Sequence, residues 1–303
     1  MKQSRKFRKA LAFAGIVLLL HSVVSFVITK IVYDSIFARY DHTATVHESH
    51  ADIAQMAEPV SFPSGENMLS GRFFDSPSDS LVVIVQGIHS YMEAHYPLIQ
   101  QMVQQDQRDV FIFDMTGSCN SQGDSAIGFP QAIYDLEAAL DYLADAYDYE
   151  NIFLFGHSRG AYAACCVLSR RNDIDGVVAV NGPNSAMETV VGTAADKAGW
   201  IAYGNYPFLW LYQTILFGAE DVGISAAESI ADSDVPVLII QAEQDETIPR
   251  DTISIYSHRE EIPNAEFVLL PGGHSSVLYE TDLVTVNPHL AQATDTFFDH
   301  FSE

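Results

Sequence analysis

The chain has 303 residues, 48% of them hydrophobic, and a formal net charge of −25. That is enough apolar material for one large domain with its own core plus an appendage. So much negative charge argues against nucleic acid as a partner. The sequence holds no P-loop pattern, no Cys-x-x-Cys pair and no His-Glu-x-x-His, so nucleotide and zinc chemistry are not expected, and neither a metal nor another cofactor is called for.

In chain order, the first forty residues stand apart. Lys2, Arg5, Lys6, Arg8 and Lys9 form a basic head, and an apolar run follows from Ala10 to about Val32, interrupted by His21, three hydroxyl residues and Lys30. A helix needs about 20 apolar residues to cross a bilayer. Residues 1–40 carry seven Lys and Arg against one acidic residue, a charge of +6, which leaves −31 on residues 41–303 of a chain whose total is −25. The positive-inside rule then puts the N-terminus in the cytoplasm and the remainder outside. A cleaved signal peptide is the competing reading, but no small-x-small site follows Leu20, so an uncleaved anchor is expected. Residues 41–58 are polar and are expected to form a stalk or a loose helix away from the membrane. Their His42, His47 and His50 leave a metal site open as the less favoured alternative.

The domain expected over 59–303 begins with a hairpin (59–64 and 68–74). After it, apolar strands alternate with helices. Strands are expected at 81–85, 110–113, 151–155, 177–180, 236–241 and 265–270. Helices are expected at 94–106, 130–147, 160–171, 250–260 and 288–301. Such alternation predicts an α/β fold with a mostly parallel sheet flanked by helices. Residues 184–232 interrupt it and are read as a helical cap insertion. Both tryptophans lie there, and Trp200, Tyr203 and Trp210 are candidates to line an apolar substrate pocket. Packing of the cap onto the domain, or dipping into a membrane, would account for the same aromatics.

The most specific motif is Gly156-His157-Ser158-Arg159-Gly160, which stands between an apolar strand and an alanine-rich helix. A tight strand–turn–helix presents a serine hydroxyl at the end of a sheet. The plain alternative is a glycine-rich turn with a capping serine. A nucleophilic Ser158 needs a base, and the base needs an orienting acid. His274, in Pro271-Gly272-Gly273-His274 after the strand 265–270, suits the base. Asp245, in the loop after the strand 236–241, suits the acid, with Glu243, Glu246 and Asp251 as rivals. Backbone N–H groups of Ile88 and Arg159 are the expected oxyanion donors. His157 is expected to pack at the turn, and the Arg159 side chain to be incidental.

With these motifs the chain resembles the α/β-hydrolase superfamily over roughly residues 60–303. The resemblance extends to Val237–Asp245 and to Asp114-Met115-Thr116-Gly117-Ser118-Cys119-Asn120-Ser121-Gln122-Gly123. The latter is similar to a glycine-rich loop of capped members, with Cys119 in place of the middle glycine. Gln86 is a second departure, since many members carry histidine there. The resemblance implies a serine hydrolase without a cofactor. Together these readings predict a membrane-anchored serine hydrolase acting on a small-molecule carboxylic ester or acyl substrate, with thioesters and amides as related targets. The alternatives are an exported serine peptidase or amidase on the same fold, and a non-catalytic binding protein.

Overall fold

A computed structural model describes residues 2–43 and 45–302, and the side chains of all of these except 2–5, 196–198 and 201. Lys2 and Arg5 of the basic head therefore lie outside the described side chains. The N-terminus forms one long helix, α1 (Lys2–Ile36), in which Lys6–Ile36 is long and apolar enough to cross a bilayer. Residues 6–21 are exposed, whereas Ser25, Thr29, Tyr33 and then Phe37 are buried. These positions recur every four residues and so share one face. Two of the hydroxyl residues that interrupt the apolar run, Ser25 and Thr29, are thus turned toward the protein, where small side chains allow close helix approach.

The segment 41–58, expected as a stalk or loose helix, forms a short helix that is packed on the domain. Within it α2 (Ala51–Met56) buries Ile53, and the ring of His50 hydrogen-bonds the Gln100 side chain at 2.7 Å. A single buried isoleucine leaves no apolar periodicity in the sequence, which is why the docking was not visible there.

Eight strands follow: β1 (Glu58–Ser64), β2 (Asn67–Phe74), β3 (Ser80–Val85), β4 (Asp109–Phe113), β5 (Asn151–His157), β6 (Gly176–Val180), β7 (Val237–Ala242) and β8 (Ala265–Leu270). They form one sheet in the order β1-β2-β4-β3-β5-β6-β7-β8. The β1–β2 hairpin pairs antiparallel at one edge, while β3 to β8 are parallel. Strands β3, β4, β6 and β7 are mostly apolar and buried along nearly their whole length, as a sheet covered on both faces requires. The helices α3 (Tyr96–Gln104), α4 (Phe129–Ala146) and α5 (Arg159–Cys166) come next in the chain. Between β6 and β7 stands the cap, made of α6 (Ala186–Ala198), α7 (Ile201–Gly204), α8 (Tyr206–Phe217), α9 (Ala219–Gly223) and α10 (Ala226–Ala231). The last helix is α11 (Pro288–Phe301).

One core unites α4, α5 and the cap with Tyr33 and Phe37 at the end of α1. The other joins α2, α3 and α11 on the opposite face. Burial of one large apolar side chain contributes roughly 1.5–3 kcal/mol, so Tyr33 and Phe37 tie α1 to the domain substantially. The strand order reverses about β3: the chain leaves β3 for β4 on one side and returns to β5 on the other. In parallel sheets ligands bind in the crevice at the carboxyl ends of such a strand pair, here at Gly87 and at Ser158.

Two expected helices are shorter than their sequence pattern. Residues 250–260 form turns and one 3₁₀ turn at Ile255–His258, because Thr252, Ser254 and Ser257 each bond a nearby backbone carbonyl and compete with helical pairing. The helix after Ser158 ends at Cys166 and tightens into a 3₁₀ turn through Ser169, whose hydroxyl donates to Cys166 O.

The glycines at two turns differ in what they tolerate. A Cβ on Gly160 would stand 1.8 Å from Val85 O, whereas one on Gly65 (φ +57°) would meet nothing within 4 Å. Gly65→Ala is expected to cost only the left-handed penalty of about 1–2 kcal/mol. Gly160→Ala is expected to cost more than about 3 kcal/mol through backbone displacement. Urea unfolding of the detergent-solubilised full chain measures both, and equal losses would refute the close approach of α5 to β3.

Candidate active site

Ser158 occupies the turn between β5 and α5 with φ 57° and ψ −121°. A non-glycine residue held there costs on the order of 1–3 kcal/mol and persists only where the surroundings enforce it. Two contacts do so. Ser158 N–H donates to Val180 O at 2.9 Å, and the bare Cα of Gly160 lets α5 start directly against β3. The side chain is thereby aimed out of the sheet's carboxyl end.

The structure brings the three expected residues together. His274 Nε2 lies 2.9 Å from Ser158 Oγ, and His274 Nδ1 lies 2.8 Å from Asp245 Oδ2. The Asp245 side chain is fully buried. Its other oxygen accepts from Thr247 N–H and Ile248 N–H, both at 2.8 Å, so the turn after β7 fixes its orientation. Glu243, Glu246 and Asp251 do not hold this position. With Nδ1–H donated to the carboxylate, Nε2 is free to accept the serine proton.

A second layer holds His274 in place through its carbonyl, which accepts from Asn181 Nδ2 at 2.8 Å and from His157 Nε2 at 2.9 Å. Asn181, just past β6, also accepts from Ala242 N–H at 2.7 Å. It therefore clamps the ends of β6 and β7 to the histidine loop. Asn181 was missed in the sequence, where a lone asparagine after a strand carries no signal beyond a turn. Burial, then the neighbouring His274, pushes His157 down to about 3, which keeps it a neutral donor.

The two expected oxyanion donors, the amides of Ile88 and Arg159, lie on the two chain segments that flank Ser158. Arg159 N–H is at the first helical position, one of the amides a helix leaves unpaired. Ile88 N–H meets no acceptor among the described residues. A Cβ on Gly87 would stand 3.2 Å from Ser158 Cβ, which puts this loop beside the nucleophile. Gln86 donates to Phe113 O (2.7 Å) and to Asp114 Oδ1 (3.1 Å), fastening the loop to the segment after β4. That segment is gripped in turn by the chain leaving α1. Arg39 donates to the carbonyls of Cys119, Ser121 and Gly123, and Cys119, with φ 44°, donates to Tyr40 O. Ser90 is engaged by the buried His95 at 3.1 Å. The Arg159 guanidinium is buried, which pulls it down to about 10, and donates to Met115 Sδ.

Trp200, Tyr203 and Trp210 are the cap residues expected at the substrate. Their exposures are 82%, 61% and 42%, and they lie on the outer surface of the cap. The cap segment has almost continuous apolar character in α8, so its sequence does not mark which side faces inward.

A family model described as serine aminopeptidase, S33, matches residues 76–207. No curated protein matches the chain. Among solved structures, an esterase of Pyrococcus furiosus superposes with a TM-score of 0.66 at 20% identity, over 87% of this chain and 100% of that one. Est1E of Butyrivibrio proteoclasticus, solved with ferulic acid, gives 0.58 at 16% identity over 80% and 98%. Mouse alpha/beta hydrolase domain-containing protein 10 gives 0.60 at 14% identity over 80% and 99%. The fold is that of the α/β-hydrolase superfamily. At these identities the likeness is one of fold, and the α/β-hydrolase fold is what sets the order Ser158, Asp245, His274 along the chain.

His157 and His95 supply a pH dependence. Burial lowers both, His157 to about 3 and His95 to about 4, below the ordinary histidine value near 6.5. The unfolded chain thus binds more protons below that value, and stability present above pH 6.5 is lost as the pH falls. Each histidine contributes a slope approaching about 1.4 kcal/mol per pH unit. Unfolding free energies between pH 5 and 7.5 are expected to show this, with His157→Gln removing close to one proton from the slope. An unchanged slope in that variant would count against a neutral buried His157.

Proposed function

We propose that the chain is a membrane-anchored serine hydrolase that cleaves a carboxylic ester through an acyl-enzyme on Ser158. The observation that carries this reading is the unbroken hydrogen-bonded series Asp245–His274–Ser158, set on a strained strand-to-helix turn. His274 takes the hydroxyl proton as Ser158 Oγ attacks the carbonyl carbon. The developing oxyanion is received by the N–H groups of Ile88 and Arg159, a donor of this kind contributing about 3 kcal/mol. His274 then protonates the leaving alkoxide, and with that proton gone it activates the water that releases the acid. Asp245 keeps the imidazole in the required tautomer and stabilises the imidazolium. The Ser158, His274 and Asp245 chemistry needs no metal.

Helix α1 supplies the anchor in this reading. Its basic head stays in the cytoplasm and the domain faces the outside. The first of the oxyanion donors also depends on the anchor: the Arg39–Tyr40 segment holds the Cys119 loop, which Gln86 links through Asp114 to Ile88. Amide cleavage is the second reading, favoured by the serine aminopeptidase description of the matching family model.

A fluorophosphonate probe should label the wild type and not Ser158→Ala, and labelling that survives the substitution would remove Ser158 as the nucleophile. Asp245→Asn should lower kcat about 10³–10⁴-fold with intact folding. Comparison of p-nitrophenyl acyl esters with aminoacyl p-nitroanilides separates the two substrate classes. Turnover of the anilides alone would replace the ester reading.

A further inference from the structure

We propose that the cleft between α1 and the cap is a binding site for the acyl chain of a bilayer lipid, and that the anchor itself forms one of its walls. This rests on the reading that α1 spans a membrane.

The cleft has a volume of about 390 Å³ and is walled by Ile28 and Val32 of α1, Val190, Val191 and Ala194 of α6, and Leu209 of α8. Ligand cavities commonly measure ~300–1,000 Å³ and are mostly apolar. One lining residue, Thr29, carries a buried hydroxyl that meets no hydrogen-bond partner among the described residues. A buried unsatisfied hydroxyl is costly. An ester-linked chain supplies what the walls and what this hydroxyl lack: a hydrocarbon tail and an acceptor oxygen at its head.

The surroundings identify the bilayer as the source. Ala10 to Thr29 is twenty residues, about 30 Å of helix, which matches the hydrocarbon thickness. The cleft therefore lies where α1 leaves the outer leaflet. Lys30 and Asp34, paired at that level, fit the headgroup boundary. Tyr212 of α8 packs edge-on against Phe26 and Tyr33, and its hydroxyl donates to Asp34 at 2.7 Å, so α8 is held against α1 at this depth. Helix α8, Tyr-Pro-Phe-Leu-Trp-Leu-Tyr-Gln-Thr-Ile-Leu-Phe, contains no charged residue, yet Trp210, Leu211 and Ile215 are exposed. Its polar Gln213 is turned inward onto Met187, and an uncharged helix with apolar side chains on its outer side belongs in a core or in lipid. On a domain of charge −31 such a face is continuous only with the membrane span, and exposed Trp200 and Tyr203 beside it suit an interfacial aromatic belt. A second protein copy or a peptide would reach this depth only through the lipid that already surrounds α1.

The test uses the full chain in phosphatidylcholine vesicles that contain a phosphatidylcholine with a photoactivatable diazirine on its acyl chain. Adducts mapped by mass spectrometry are expected on α6 and on α8 at Leu209, besides those on α1. Ala194→Trp, which narrows the cleft, should reduce the α6 and Leu209 adducts at least fivefold without changing those on residues 10–24 or on the exposed Trp210, Leu211 and Ile215 of α8. Val32→Trp, from the opposite wall, repeats the experiment should the first variant unfold. Adducts confined to α1 in a chain that resists alkaline extraction would overturn the cleft while leaving the anchor standing. Release of the chain by extraction would overturn both. Fluorophosphonate labelling of the wild type in the same vesicles reports on Ser158 separately.

Discussion

The contact on which the rest depends is the approach of α5 to the end of β3, where Gly160 Cα lies against Val85 O. That approach forces the sharp turn at Ser158, and the turn puts the hydroxyl in the crevice where the strand order reverses. Everything else in the candidate site is arranged about this point. The Gly87 loop borders it from β3, Asn181 reaches it from β6, Asp245 from β7 and His274 from beyond β8. A parallel sheet makes such convergence cheap, since all its carboxyl ends open on one side.

Rigidity around the histidine comes from groups that do no chemistry themselves. Two donors on the His274 carbonyl and two amides on Asp245 hold the ring between its partners. Holding a reactive arrangement by buried hydrogen bonds is what permits charge to develop without reorganisation. The buried neutral His157 costs stability in acid, so the same device that orders the site makes the fold sensitive to low pH.

The N-terminal helix is not an independent tether. Its last turns enter the core through Tyr33 and Phe37, its cap-facing side meets Tyr212, and Arg39 just beyond it grips three carbonyls of the loop around Cys119. The N-terminal helix, cap and candidate site are thereby packed together. This explains why the small hydroxyl residues of the apolar run matter: they sit on the packed face, where bulk would separate α1 from the cap.

What the sequence by itself determined is local and periodic. Strands buried on both faces read as apolar runs, α4 reads as a helix, Gly156 to Gly160 reads as a turn, and the N-terminal apolar run reads as a long helix, because each follows from near-neighbour sterics and burial. The order of Ser158, Asp245 and His274 was legible through the same strand ends. Only the tertiary structure decided the rest. Asn181 has no role until β6 and β7 lie side by side. Ile53 marks no helix until it meets α3. Trp200 and Tyr203 at the short α7 and Trp210 on α8 could not be assigned a side, because α7 has a single turn and α8 is almost continuously apolar, so periodicity carries little direction there. The face that α1 turns inward was likewise set by its partner, since an apolar helix acquires a buried side only when another element covers it.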